Sequence, residues 1–138
     1  KDITDYILKR LAEHPDEIPE GMTADENAAM HANQLASPWM QYFIKYNPAL
    51  ILEKVKCPVL AINGEKDLQV PPKENLTAIS AALKKGGNKK VTAKELPGLN
   101  HLFQECTTGS PDEYAVIEQT ISPVALSEIL EWIQFQVK

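Results

Sequence analysis

The sequence predicts an α/β fold in which parallel strands are flanked by helices. Residues 58–63 (PVLAIN) form an almost continuously apolar run, which is typical of a strand buried on both faces of a sheet. Residues 91–96 (VTAKEL) predict a second strand. Between the two, residues 72–85 have the apolar spacing of a helix that ends at Gly86-Gly87. This order of strand, helix and strand predicts a right-handed parallel crossover.

Several further helices are predicted by their start signals. The residues from Thr23 to Glu26 fit a capping box, in which each side chain bonds the backbone N–H of the other. Four other sites place a capping side chain directly before a proline, which is tolerated in the first helical turn. We expect helices to begin at Ser37-Pro38, Asn47-Pro48, Ser110-Pro111 and Ser122-Pro123.

The chain divides into a helical section, residues 1–46, and an α/β section, residues 47–138. A first helix is expected near residues 2–13, which space their apolar side chains along one helical face. Residues 123–137 do the same and predict a last helix that packs back on the sheet.

The composition excludes several classes of function. The 138 residues are 43% hydrophobic and 24% charged, with a net charge of −5. No basic stripe interleaved with aromatics is present, so nucleic acid is not an expected partner. No apolar run has the length of a membrane span.

No phosphate-binding loop is present and His14 and His31 lack metal-ligand spacing, so we expect no cofactor and no metal. The two cysteines, Cys57 and Cys106, are expected to be free thiols, and a chain that begins with Lys gives no indication of compartment.

The predicted sheet is too small to be stable by itself. Parallel sheets need several strands and cover on both faces, whereas this chain provides two strands. One strand edge should therefore require a partner, which is either another part of a longer protein or a second copy of the chain.

Two loops of the predicted sheet carry residues suited to acid–base chemistry. In open α/β sheets, functional residues collect in loops at the carboxyl ends of the strands. Asp67 follows the first predicted strand and His101 follows the second, so the two side chains can meet. A carboxylate on one ring nitrogen fixes the imidazole tautomer and stabilises the imidazolium ion. The neighbouring Glu65 and Lys66 are expected to be solvated loop charges, with Glu65 as an alternative acid.

The residues around this pair resemble the acid and histidine loops of α/β-hydrolases. The apolar strand ends in Asn-Gly-x-x-Asp followed by x-x-Val-Pro, and Gly-x-x-His follows the second strand. The order of acid before histidine matches that family. Residues 37–137 are similar to the C-terminal half of bacterial α/β-hydrolases of the esterase or acyl-peptidase-like type. The resemblance implies a partial α/β-hydrolase fold, with residues 1–46 as a helical lid and residues 47–138 as the C-terminal part of the core.

The resemblance lacks the family's nucleophile. That residue is the serine of a Gly-x-Ser-x-Gly motif, and no serine here has glycine two positions before and two positions after it. The serines are Ser37, Ser80, Ser110, Ser122 and Ser127. The loop that supplies oxyanion donors also has no counterpart. We therefore expect a fragment that supplies the triad acid and histidine but is inactive alone.

Five apolar side chains are candidates for the substrate pocket of the parent enzyme. Trp39, Met40 and Phe43 fall on one predicted helical face, where core packing and an acyl-pocket wall both remain open. Leu68 and Phe103 lie beside the candidate acid and histidine and could close the same pocket.

The leading functional hypothesis is a serine hydrolase that cleaves carboxylic esters or related acyl bonds of a small-molecule substrate. The resemblance implies that Asp67 and His101 are its catalytic acid and base. It leaves esterase, lipase, thioesterase and peptidase open. The alternative is a non-catalytic α/β module that binds a small molecule or a partner through the same loops. Such a module would not need the two side chains within hydrogen-bond distance.

Overall fold

The computed structural model describes residues 3–138, and the chain divides between Tyr46 and Asn47 into two compact units. The first unit contains α1 (Ile3–Glu13), α2 (Ala24–Ala36) and α3 (Pro38–Lys45). The second contains α4 (Ala49–Leu52), β1 (Val59–Gly64), α5 (Pro72–Lys85), β2 (Val91–Leu96) and α6 (Pro123–Gln136). Short 3₁₀ turns lie at Pro15–Glu17 and Pro111–Glu113. Within the described residues, no helix combines the length and apolar character needed to cross a membrane.

The helical unit begins as its sequence predicts. α1 confirms the predicted first helix, although residue 2 lies outside the described residues. The side-chain oxygen of Thr23 accepts a hydrogen bond from the Glu26 N–H at 3.2 Å, and the Glu26 carboxylate accepts one from the Thr23 N–H at 2.8 Å. This reciprocal pair confirms the capping box at the start of α2. Leu11 of α1 and Ala28 of α2 are buried within the unit.

The proline-linked helix starts are confirmed with one exception. Ser37 and Ser122 cap α3 and α6 through their hydroxyl groups, and the Asn47 side chain accepts from the first residue of the short α4 at 3.1 Å. The predicted helix at Ser110-Pro111 is wrong, because that segment forms only a 3₁₀ turn. The carboxylate of Glu113 is turned back to accept hydrogen bonds from the N–H groups of the preceding loop, which holds the turn in this short form.

The two strands are parallel and in register along their whole length, from Val59 opposite Val91 to Gly64 opposite Leu96. α5 forms the connection between them, which confirms the predicted strand–helix–strand unit. Leu83 of this helix is fully buried, and α5 ends at the predicted glycine pair. Because the strands end at the same level, the loops that follow β1 and β2 start side by side.

β1 is less buried than its apolar sequence predicts. Its first four residues are half-buried rather than covered on both faces, and only Asn63 and Gly64 are buried. The described sheet has two strands, so in this part of the chain β1 has a strand neighbour on one side only. The expectation of full burial is therefore wrong because β1 lacks a neighbouring strand on its second side, and not because its residues are unsuited to a buried strand.

The last helix packs through a different face from the one its sequence predicts. The predicted apolar face stays about half exposed at Leu126, Leu130 and Ile133. α6 is instead held by the fully buried Ala125, by an ion pair between Glu128 and Lys94, and by a 3.3 Å hydrogen bond from the Trp132 ring to Thr92. The small side chain of Ala125 lets the first turn of α6 approach the core, and this approach determines which face is covered.

Candidate active site

The loop after β1 buries the carboxylate of Asp67, which is only 6% exposed. Its Oδ1 atom accepts hydrogen bonds from the N–H groups of Gln69 at 3.0 Å and Val70 at 2.8 Å. A side chain that bonds the backbone two and three residues ahead closes its own turn. Asp67 therefore fixes the loop that carries it, and the loop in turn fixes the direction of the carboxylate.

The other carboxylate oxygen of Asp67 faces two side chains. Oδ2 lies 2.9 Å from Nδ1 of His101 and 2.9 Å from Nδ2 of Asn63. The structure thus brings together the acid and the histidine that stand 34 positions apart in the sequence. It adds an asparagine that the sequence analysis did not select.

The surroundings of Asp67 favour its ionised form. Burial alone would raise the pKa of the Asp67 carboxyl group, but hydrogen bonds from the Val70 N–H, from His101 and from the Gln69 N–H, together with the charge of His101, lower it by more. The net result is a pKa below the ordinary range of an aspartic acid. Asp67 is consequently an anion near neutral pH, as a partner of an imidazolium ion must be.

The loop after β2 holds His101 in a tight turn organised by Asn100. The side chain of Asn100 is fully buried, and its oxygen accepts from the N–H groups of Leu102 and Gln104, both at 2.9 Å. The Asn100 N–H donates to the Gln104 carbonyl at 3.0 Å, which closes the turn. Phe103 has a φ of +57°, a left-handed conformation that is uncommon for a bulky residue. His101 is thus the second residue of a turn with a fixed backbone.

The imidazole of His101 is arranged as a base. Because an ionised carboxylate is only an acceptor, the neutral ring must carry its proton on Nδ1, and Nε2 keeps its lone pair. The side chain is 37% exposed, so a reacting group can approach it. Such a ring can take a proton from a hydroxyl group and later return it to a leaving group.

The two loops are also joined by charged side chains. The Lys66 ammonium group donates to the carbonyls of Cys106 at 3.2 Å and Thr107 at 2.9 Å. The Glu65 carboxylate accepts from the Gly98 N–H at 2.9 Å. Glu65 is exposed, as expected of a solvated loop charge, whereas Lys66 is half-buried, and both side chains also bond the neighbouring loop. Loops that start side by side at one sheet edge can pair their polar groups, which sequence spacing does not reveal.

Gly64 is required where these loops meet. A Cβ atom at this position would lie 2.5 Å from the carbonyl oxygen of Asn100 and closer still to that of Leu99. Both obstacles are backbone atoms, which cannot move aside as a flexible side chain can. The absence of a side chain at Gly64 therefore lets the histidine loop come within reach of Asp67.

Two candidate pocket residues belong to this unit and differ in their surroundings. Leu68 is 64% exposed directly after Asp67. Phe103 is partly buried and packs against the core cluster of Leu96, Leu99 and Ala125. Leu68 is thus free to contact a ligand, whereas Phe103 anchors the turn of His101 to the core. Their role as pocket walls stays a prediction.

The other three candidates lie in the helical unit. The rings of Trp39 and Phe43 stack with centroids 5.4 Å apart and an angle of 11° between their planes. Both side chains are more than 60% exposed, so the core-packing interpretation is wrong for them. Met40 lines a groove of about 450 Å³ together with Leu11 and Leu35 of the same unit. A role of these residues in an acyl pocket stays a prediction.

Comparison with known proteins identifies the family. Residues 16–119 match the model of the prolyl oligopeptidase family, and the match includes Asp67 and His101. The chain belongs to the prolyl oligopeptidase family. The prolyl oligopeptidase family is a serine peptidase family with an α/β-hydrolase fold, which confirms the predicted partial α/β-hydrolase fold and the hydrolase resemblance. No curated protein and no solved structure matches the chain.

Sequence reasoning missed two buried asparagines. Asn63 contacts the carboxylate of Asp67, and Asn100 organises the turn of His101. Asn63 is the first residue of the Asn-Gly-x-x-Asp segment, and Asn100 directly precedes His101. The signal that could have found them is the tendency of asparagine side chains to bond nearby backbone in turns.

Proposed function

We propose that this chain supplies the acid and the base of a serine hydrolase that cleaves carboxylic esters or related acyl bonds. The observation that carries the proposal is the 2.9 Å contact between Oδ2 of Asp67 and Nδ1 of His101 at the carboxyl ends of two parallel strands. A non-catalytic binding module has no need of this contact. Membership of a serine peptidase family favours peptide amides among the acyl bonds left open by the residues.

The mechanism that we propose is acyl transfer to a serine outside these 138 residues. Nε2 of His101 takes the proton of the serine hydroxyl group as its oxygen attacks the carbonyl carbon. Asp67 holds the ring and stabilises the resulting imidazolium ion. His101 then protonates the leaving group as it departs, and the same residue activates water to release the acyl group. In this proposal Trp39, Met40 and Phe43 of the helical unit remain candidate substrate contacts of the parent enzyme.

Substitutions test the proposal in a longer polypeptide that joins this chain to a Gly-x-Ser-x-Gly segment. We expect His101→Ala to lower kcat for an activated ester or peptide by at least about 10⁴-fold, because no base remains. Asp67→Asn should lower it by about 10³- to 10⁴-fold, because the imidazole loses its tautomer and its counter-charge. His14→Ala and Asp112→Asn make the same changes outside the site and should leave kcat unchanged.

Near-normal turnover in either site variant would refute the assignment. The isolated chain provides a further check, since we expect a fluorophosphonate that labels activated serines not to react with it. Labelling of any of its five serines would contradict the proposal that the nucleophile lies elsewhere.

A further inference from the structure

Asn63 occupies a position that links the sheet to the candidate acid. It is the second-last residue of β1 and is only 9% exposed. Its Nδ2 atom donates to Oδ2 of Asp67 at 2.9 Å and to the carbonyl oxygen of Val70 at 3.0 Å. Both protons of one amide nitrogen are thus used within a single loop. The amide thus links the end of β1 to the acid and to Val70, which lies near the end of the loop.

The orientation of this amide follows from its neighbours. A carboxylate oxygen and a carbonyl oxygen are both acceptors, so only the NH₂ group of Asn63 can face them. Exchange of its oxygen and nitrogen atoms would place the amide oxygen, an acceptor, against two other acceptor oxygens. The contact is therefore fixed by chemistry as well as by position.

Asn63 holds the carboxylate in a way that the loop cannot. The N–H groups on Oδ1 come from Gln69 and Val70, which belong to the same loop as Asp67 and move with it. Asn63 belongs to a strand that is paired along its length with β2. It therefore holds Oδ2 relative to the sheet from which the loop of His101 also starts.

A neutral donor suits this place. A lysine or arginine would neutralise the carboxylate and weaken its attraction for the imidazolium ion, and a carboxyl group would compete for its proton. An amide donates a hydrogen bond without adding a charge. Among the described residues, His101 is the titratable side chain whose charge acts on Asp67.

We propose that Asn63 is the positioning residue of the acid–base pair: its amide aims Oδ2 of Asp67 at His101 and ties the two ends of the acid loop together. This inference rests on the proposed function for its catalytic meaning. The hydrogen bond from Asn63 to Asp67 does not depend on catalysis, so its effect on Asp67 can be tested in the isolated chain.

The experiment follows the ¹³C signal of the Asp67 carboxyl group by NMR as the pH is changed. We expect Asn63→Leu to move the midpoint of this titration upward, because the anion loses a hydrogen bond. Asn63→Asp keeps the shape of the side chain and should move the midpoint further upward, because two adjacent carboxylates cannot both ionise freely. Asn75→Leu is the matched control. The Asn75 amide donates at 2.9 Å to the carbonyl of Pro71, the residue directly before α5, and its loss should leave the midpoint unchanged.

The outcomes separate this inference from the proposed function. Amide ¹H–¹⁵N spectra establish that each variant is folded, and Asn63→Asp carries the test if Asn63→Leu does not fold. An unchanged Asp67 midpoint in the folded variants would overturn the role of Asn63. The wild-type ring nitrogens of His101 report on the pair itself. A proton on Nε2 of the neutral ring would overturn the proposed function, and the shift of the Asp67 midpoint would still decide the role of Asn63.

Discussion

Asp67 receives hydrogen bonds from three parts of the chain: its own loop, the end of β1 and the loop after β2. This is why a buried carboxylate remains ionised here. Any one of the donors could be replaced by water at the surface. Inside the fold each lost donor removes one of the two hydrogen bonds on a carboxylate oxygen, and a hydrogen bond to a charged group contributes about 1.5–3 kcal/mol. The hydrogen bonds that orient Asp67 toward His101 therefore also stabilise the α/β unit.

The lowered pKa of Asp67 predicts how this stability depends on pH. A group whose folded-state pKa is lowered contributes stability above its unfolded-state pKa, which is about 3.9 for aspartic acid. That contribution is lost as the pH falls through the lower folded-state value. Asp67→Asn removes the titrating group. The difference in unfolding free energy between wild type and variant should shrink below about pH 4, which urea unfolding at a series of pH values measures. A difference that does not vary with pH would contradict the lowered pKa.

At the scale of elements, the outer edge of β1 has no strand neighbour among the described residues. The Val59 N–H points to β2, where it donates to the Lys90 carbonyl at 2.9 Å. Since successive residues of a strand alternate sides, the N–H group of Leu60 points away from β2. Unpaired edges of this kind recruit further strands. We therefore propose that the isolated chain pairs with a second copy through this edge.

Light scattering over a range of concentrations tests the pairing. We expect the mass to approach that of two chains as the concentration rises. Leu60→Pro should prevent this, because proline removes the outward N–H group while the bond from Val59 to β2 remains. A mass equal to one chain at high concentration would rule the pairing out.

At the scale of the whole molecule, the α/β order of elements could be predicted from sequence. The strand–helix–strand unit from β1 to β2 forms as its local sequence signals predict. Asp67 and His101 were selected because they follow the ends of its two strands. The half-exposed β1 and the turned face of α6 could not be predicted, because both depend on which surfaces have neighbours. The role of Asn63 and the loop contacts of Lys66 were missed for a related reason. Their partners lie in side chains and loops that only the folded sheet brings close.

The measurement that tests the central claim most directly is the location of the proton on the neutral His101 ring. Long-range ¹H–¹⁵N NMR of the isolated chain at high pH distinguishes the two ring nitrogens, with His14 and His31 as reference signals. We predict a protonated Nδ1 with a low-field proton signal that Asp67→Asn removes. A neutral ring protonated on Nε2, with a spectrum that Asp67→Asn leaves unchanged, would contradict the account.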